Sequence, residues 1–361
     1  MSKDFLPAFV IGYSDSSFTN PHEVVLPDEP PDCSGSFTHM GAKYWGYETR
    51  RHRAMSINED SSGFHFDHDA HHWLRIGLKS PAMVRETSLS TKWFTGNQVP
   101  EVSITLFNEK VPVEVLSRTS LAPDSDHIFP FEPTEADECL VKCFHEGGIA
   151  RINLFGESLP TIPRANLLER ANISHVSNEH YGKPADAVGG NREVNYMHGW
   201  ESARSGFGEQ ALFHLEQPAV VDEFVVDTYM HRLNPPLSCH VYGLPSDQND
   251  DVQALMEHQP RWIIEFDNGE SYRPANFQSF MLEQQYLKES ASNRKTFSIR
   301  LVNDHADIWQ PLITFGRLFP DQYHRFTDLQ FNQPVSHLLY MHYPNGGVHG
   351  LKAFGLIKTI A

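Results

Sequence analysis

One stretch of this chain occurs twice, and that repeat narrows the folds open to it. The first copy reads Trp45-Gly46-Tyr47-Glu48-Thr49-Arg50-Arg51 and the second His198-Gly199-Trp200-Glu201-Ser202-Ala203-Arg204. Three further landmarks follow each copy in the same order. Trp93-Phe94-Thr95-Gly96-Asn97 answers to Tyr229-Met230-His231-Arg232-Leu233-Asn234. Pro123–Phe129 answers to Pro320–Phe326, and His145–Arg151 to Pro344–Gly350. Matched landmarks in one order mark an internal duplication, so both halves should fold to one plan.

Runs such as Val102-Ser103-Ile104-Thr105-Leu106 alternate apolar and polar residues, the mark of strands buried on one face. In copy one the strand-like runs are Trp73–Leu78, Met83–Thr91, Glu101–Phe107, Val111–Arg118, Cys139–His145 and Ala150–Gly156. Copy two repeats the series from Ala211–Gln217 and Val220–Tyr229 through Leu237–Leu244, Arg261–Asn268 and Lys295–Asn303 to Ser336–Tyr343 and Leu351–Ile357. Gly, Pro, Asn and Asp separate them and no long helical period intervenes. This favours an all-β chain of antiparallel sandwiches over alternating βαβ units.

The expected organisation is an irregular lead-in over 1–35, repeat one over 36–158, a joint over 159–178 and repeat two over 179–361. The joint should hold a short helix at Arg164–Ala171. Copy one carries an extra segment before its Gly-Asn landmark, the His/Asp stretch around 57–72. Copy two carries insertions about 245–293, where Pro245–Gln259 reads as a polar loop and Asn276–Lys288 as a helix.

A net charge of −17 argues against a nucleic-acid partner, which needs basic side chains in excess on one face. No apolar run of about 18 residues exists to span a membrane. The opening Met-Ser-Lys-Asp-Phe-Leu-Pro lacks the apolar core of a signal peptide, so the expected location is cytoplasmic. Cys139 and Cys143, four apart in one strand, would lie roughly 13 Å from each other, too far to bridge. Both read as small buried hydrophobes. The run His65, Asp67, Asp69 and His71 offers one face of imidazoles and carboxylates suited to a divalent metal, but a solvated loop explains it better, and no residue is assigned as a metal ligand. The sequence requires no cofactor.

The landmarks resemble those of the allantoicase family, which carries D-G-W-E-T-R-R, D-T-x-x-F-x-G-N and P-D-G-G-[IV]-x-R segments in each of two repeats. Gly46, Glu48, Thr49, Arg50 and Arg51 match the first segment, and Thr91, Phe94, Gly96 and Asn97 the second. Gly147, Gly148, Ile149 and Arg151 match the third. Copy two matches at Gly199, Trp200, Glu201, Arg204, Asp227, Thr228, Asn234, Gly346, Gly347 and Val348. Departures are concentrated in copy two, where the second arginine is Ser205, the Phe and Gly are His231 and Leu233, and the last arginine is Gly350. In copy one, Trp45 and Ser90 replace family aspartates, Glu146 replaces another and Tyr47 replaces the tryptophan. The resemblance implies two jelly-roll, galactose-binding-like β-sandwiches. It also implies hydrolysis of allantoate to ureidoglycolate and urea in purine degradation.

Such a substrate needs a carboxylate clamp, hydrogen-bond partners for its ureido groups, a base for water and an acid for the departing urea. Arg50 and Arg51 suit the clamp, because a guanidinium holds a carboxylate through two parallel bonds. They point to opposite faces of a strand, so one of them should meet the ligand. Glu48 suits the base, with Glu201 its counterpart. His127 suits the acid, with His324 its counterpart among the binding residues. Asn97, Arg151 and Arg204 complete the expected substrate contacts. The expected partner is a small ureide, and a homo-oligomer is compatible with the sequence. The competing readings are a binding or scaffold protein with a decayed site, and a hydrolase of another ureido or guanidino compound.

Overall fold

The computed structural model describes residues 4–17, 19–39, 41–189, 192, 198–204, 208–247, 251–272 and 297–358. The chain divides into two compact units, Met1–Ile162 and Pro163–Ala361. Each is a jelly-roll β-sandwich built on one seven-stranded antiparallel sheet. Among the described residues no helix is long and apolar enough to cross a membrane.

The sheet of unit 1 runs in the order Phe5–Leu6, Arg151–Ser158, His71–Ser90, Asp126–Phe144, Glu101–Asn108, Val111–Ser120, and Ala8–Tyr13 also pairs with His71–Ser90. The runs Trp73–Leu78 and Met83–Thr91 are one strand rather than two. Its first part pairs with Ala8–Tyr13, its second with Arg151–Ser158, and Asp126–Phe144 follows it along both. The register shifts between Pro130 and Thr134, opposite Val84–Glu86, and between Ala136 and Glu138, opposite the Gly77–Ala82 stretch that holds Pro81. Proline cannot donate to a ladder and is tolerated where a strand bends or bulges, so it bends this strand instead of ending it. Unit 2 repeats the device. Ala211–Gln217 and Val220–Tyr229 merge into Glu209–Asp227, and Pro218 marks the bend. The carbonyls of Pro81 and Pro218 accept from Leu159 N and Lys358 N at 2.8 and 2.9 Å.

Alternation places Val102, Ile104 and Leu106 in the core of unit 1, facing Cys139, Val141 and Cys143, all fully buried. Burial pushes both thiols up to about 12. The lead-in over 1–35 is not irregular throughout. Phe5–Leu6 and Ala8–Tyr13 join the sheet, and Leu6, Val10, Val24 and Val25 enter the core. In the sequence, Pro-, Asp- and Ser-rich surroundings obscure the apolar run Phe5–Tyr13.

The joint also departs from expectation. Leu167–Arg170 is a single 3-10 turn capped by Asn166, and Asn172–Val176 is an edge strand paired with Glu209–Asp227. The Asn166 side-chain Oδ1 accepts from Leu168 N and from Ala353 N, so the turn is tied to the sheet. The polar insert Pro245–Gln259 contains a helix, Val252–Glu257. Its Leu255 and Met256 are buried against Trp309, whose indole donates to Leu255 O at 3.2 Å. The helix expected at Asn276–Lys288 lies outside the described residues.

The duplication extends to single hydrogen bonds. Thr91 Oγ1 donates to Ala122 O at 2.7 Å, and Thr228 Oγ1 to Phe319 O at 2.6 Å. Trp93 N and Met230 N each donate to an aspartate, Asp124 and Asp321, at 2.8 Å. Gly46 and Gly199 have φ of +96° and +123°. A Cβ on Gly46 would meet Ile149 O at 2.3 Å, so only glycine fits there.

Candidate active site

The signature segment reaches its site through a two-residue strand. Tyr47 and Glu48 pair with Ile149 and Gly148. Successive side chains leave a strand on opposite sides, so Tyr47 is fully buried in the core while Glu48 faces a cavity of about 370 Å³. Thr49 locks the end of this strand. Its N donates to Gly147 O and its Oγ1 accepts from Gly147 N, both at 3.0 Å. The Asn97 carbonyl accepts from Gly148 N at 2.8 Å, which draws the Gly96-Asn97 landmark beside the signature strand.

Glu48, Arg51, His52, Asn97, Gln98 and Glu146 are the principal polar side chains around this cavity. Glu48 is 7% exposed, and its Oε2 is buried without a hydrogen-bond partner. Burial raises its pKa, while a hydrogen bond from Asn97 and the charge of Arg51 partly oppose the rise. His52 and Glu146 stand 3.8 Å apart and are more open to solvent. The arrangement offers a desolvated carboxylate with one free oxygen, an amide bonded to it, and a guanidinium within its field.

Of the expected site residues, Glu48, Arg51 and Asn97 meet in this cavity and several others lie elsewhere. Arg50 is exposed and does not line it. Its N donates to Asp15 Oδ1 at 3.0 Å and its Nε to Ser16 O at 3.4 Å. Arg151 is 5% exposed and serves the fold, its Nε donating to Asp28 O at 2.7 Å and its Nη1 to Ala150 O at 2.8 Å. His127 also lies outside the cavity lining. Its Nε2 meets Ala122 O at 3.3 Å, and its ring stacks near Phe129. His324 has both ring nitrogens occupied by backbone. Its Nδ1 donates to Val226 O and its Nε2 accepts from Phe319 N, each at 2.9 Å. Burial lowers its pKa, as expected for a neutral structural imidazole.

In unit 2, Glu201 pairs with Gly347, and Asn234 O accepts from Gly347 N at 2.8 Å, reproducing the backbone of the first site. The side chains differ. His231 takes the place of Phe94 against the glycine pair and is itself buried, which lowers its pKa. Arg204 is exposed, and its carbonyl accepts from Asn345 Nδ2 at 3.2 Å. Counted from the shared glutamate, Arg204 stands where copy one has Arg51, and Ser205 lies outside the described residues.

His52, Gln98 and Glu146 were not among the expected site residues. His52 and Gln98 directly adjoin a landmark and Glu146 lies within one, so the pairing of the signature strand with the Gly-Gly turn was the signal that could have found them. Around residues 57–72 the chain forms an exposed hairpin, Met55–Ile57 against Phe64–Phe66. Asp67 Oδ1 accepts from Asp69 N at 3.0 Å, and His71 Nδ1 meets Asp69 O at 3.0 Å, so these groups shape a turn. Among the described residues no group of three His, Cys, Asp or Glu side chains converges as metal ligands.

A family model described as the allantoicase repeat matches the chain twice, over residues 1–159 and 165–285. A probable allantoicase of Schizosaccharomyces pombe is 25% identical over 96% of this chain and 89% of its own length. The allantoicase of Saccharomyces cerevisiae is 23% identical over 96% of this chain and 90% of its own. A solved structure of allantoicase aligns with 97% of this chain and 90% of its own at 21% identity, with a TM-score of 0.34.

Proposed function

The chain belongs to the allantoicase family, and from that premise we propose that it hydrolyses allantoate to ureidoglycolate and urea in the Glu48 cavity of unit 1. The observation that carries this reading is the buried, unpartnered Oε2 of Glu48 in one cavity with Arg51 and Asn97.

Arg51 holds the substrate carboxylate. The Asn97 amide, able to donate and accept, meets a ureido group. The free Oε2 of Glu48 then takes a proton from water. The water oxygen bonds to the carbon bearing the ureido groups as one C–N bond breaks. The departing nitrogen receives a proton from the His52–Glu146 pair at the mouth and leaves as urea. A carboxylate held in a dry setting is a stronger base than one in water, which suits Glu48 to this step.

Urea release from allantoate, measured with and without added Mn²⁺, tests the reading. Turnover is expected, and no urea under either condition would sink it and leave the binding-protein reading. Arg51→Met should raise KM at least ~10-fold, since a charge-assisted hydrogen bond contributes about 1.5–3 kcal/mol. An unchanged KM would remove Arg51 from the clamp. His127→Gln should leave kcat well short of the ~100-fold fall that marks loss of a proton-transfer group. A fall of that size would return His127 to the chemistry.

A further inference from the structure

Unit 1 has a second cavity, of about 300 Å³, between the Cys33–Phe37 loop, Ala42–Trp45 and Lys92–Thr95. Its walls are aromatic. Tyr44 stacks on Phe94 with centroids 4.9 Å apart. The Trp93 indole donates to Pro30 O at 2.8 Å, and the Trp45 indole is tied to Cys33 Sγ. Phe37, at the edge, is 75% exposed. Phe94 also abuts Gly148, the backbone partner of Glu48, but the two cavities share no lining residue.

The charge here is opposite to that of the chain. The sequence carries 46 acidic side chains against 29 basic ones. Among the described residues lining this cavity, the charged ones are Lys43 and Lys92. Lys92 Nζ is paired with Glu29 Oε2 at 2.9 Å. Lys43 Nζ lies 5.0 Å from the Trp45 ring centroid and has no carboxylate partner among the described residues. One ammonium without a carboxylate partner among the described residues therefore sits over an aromatic wall.

We propose that this cavity is a second ligand site, selective for a planar aromatic monoanion. Ring faces supply stacking area, and Lys43 supplies the charge. The volume lies at the small end of ligand pockets, about 300–1,000 Å³, which fits one ring system. A sugar would call for amides and carboxylates converging on its hydroxyls, whereas the lining polar side-chain groups besides the lysines are the hydroxyls of Ser34, Ser36, Tyr44 and Thr95, the Cys33 thiol and the indole N–H groups of Trp45 and Trp93, both already hydrogen-bonded. The inference does not rest on the hydrolytic reading, because neither Glu48 nor Arg51 takes part.

Calorimetric titration of the full chain with benzoate tests it, with benzamide as the neutral ring and acetate as the anion without a ring. Benzoate should saturate one site, with benzamide and acetate each at least ~10-fold weaker. Lys43→Gln should weaken benzoate at least ~10-fold and Arg51→Met should leave it unchanged. No saturable heat with benzoate, equal binding of benzamide or acetate, or a loss in Arg51→Met without one in Lys43→Gln would overturn the assignment.

Discussion

Glu48→Gln should lower kcat for allantoate at least ~100-fold, the lower end for removing a proton-transfer group, with KM little changed. Glutamine keeps the shape of the side chain and can still accept from Asn97, so the cavity should persist. What disappears is the basicity of an oxygen that burial has made reluctant to ionise. In the native enzyme kcat should rise with pH through a midpoint above the usual carboxylate range, as Glu48 loses its proton. Asn97→Ala should move that midpoint higher still, because the Asn97 hydrogen bond holds it down. Steady-state urea release across pH 4–8 reads both effects. A Glu48→Gln enzyme within a few-fold of native would remove Glu48 from the base role.

The second large effect concerns stability, and it lies in unit 2. Glu209 is 2% exposed, accepts from Ser177 Oγ and sits opposite His342 on the neighbouring strand. Burial pushes its pKa from 4.5 up to about 7, with the Ser177 bond opposing. The folded state therefore binds this proton more tightly than the unfolded state. That advantage is fully present below about 4.5 and is lost as pH rises through about 7. Once the group is ionised, the folded state bears a cost of roughly 3 kcal/mol. Glu209→Gln should remove the cost, raising the Tm of unit 2 at pH 8 and leaving it nearly unchanged at pH 4. His240 and His342, lowered by burial to about 4 and about 3, act in the opposite sense. They bind protons more weakly folded than unfolded, so their contribution grows with rising pH. The difference between variant and native protein cancels them and isolates Glu209. Equal Tm values at pH 8 would refute the argument.

The duplication and the strand pattern were legible because periodicity is a local property. Leu74, Ile76, Val102 and Ile104 announce their burial within a few neighbours. The bends were not legible, since Pro81 and Pro218 carry the same signal whether a strand ends or turns a corner. Nor could Phe5–Tyr13 be recognised as sheet strands without the partner segments His71–Ser90 and Arg151–Ser158 that pair with them. Among the site residues, Glu48, Arg51 and Asn97 share a cavity because the signature strand pairs with the Gly-Gly turn and that turn hydrogen-bonds to Asn97. Arg151 has the chemistry of a substrate clamp, yet it spends that chemistry on Asp28 O, 123 residues away in sequence. His127 and His324 follow the same rule, each committed to a carbonyl or amide that only the folded turn supplies.

The continuity of His71–Ser90 around Pro81 gives the two faces of unit 1 a common fate. A layer held by its own separate strands could peel away and leave the other standing. Here the same backbone ladder runs through both, so loosening one face strips partners from the other. The Glu48 recess is anchored to that ladder, because Gly148–Ile149, which pairs with Tyr47–Glu48, leads straight into Arg151–Ser158 on the long strand.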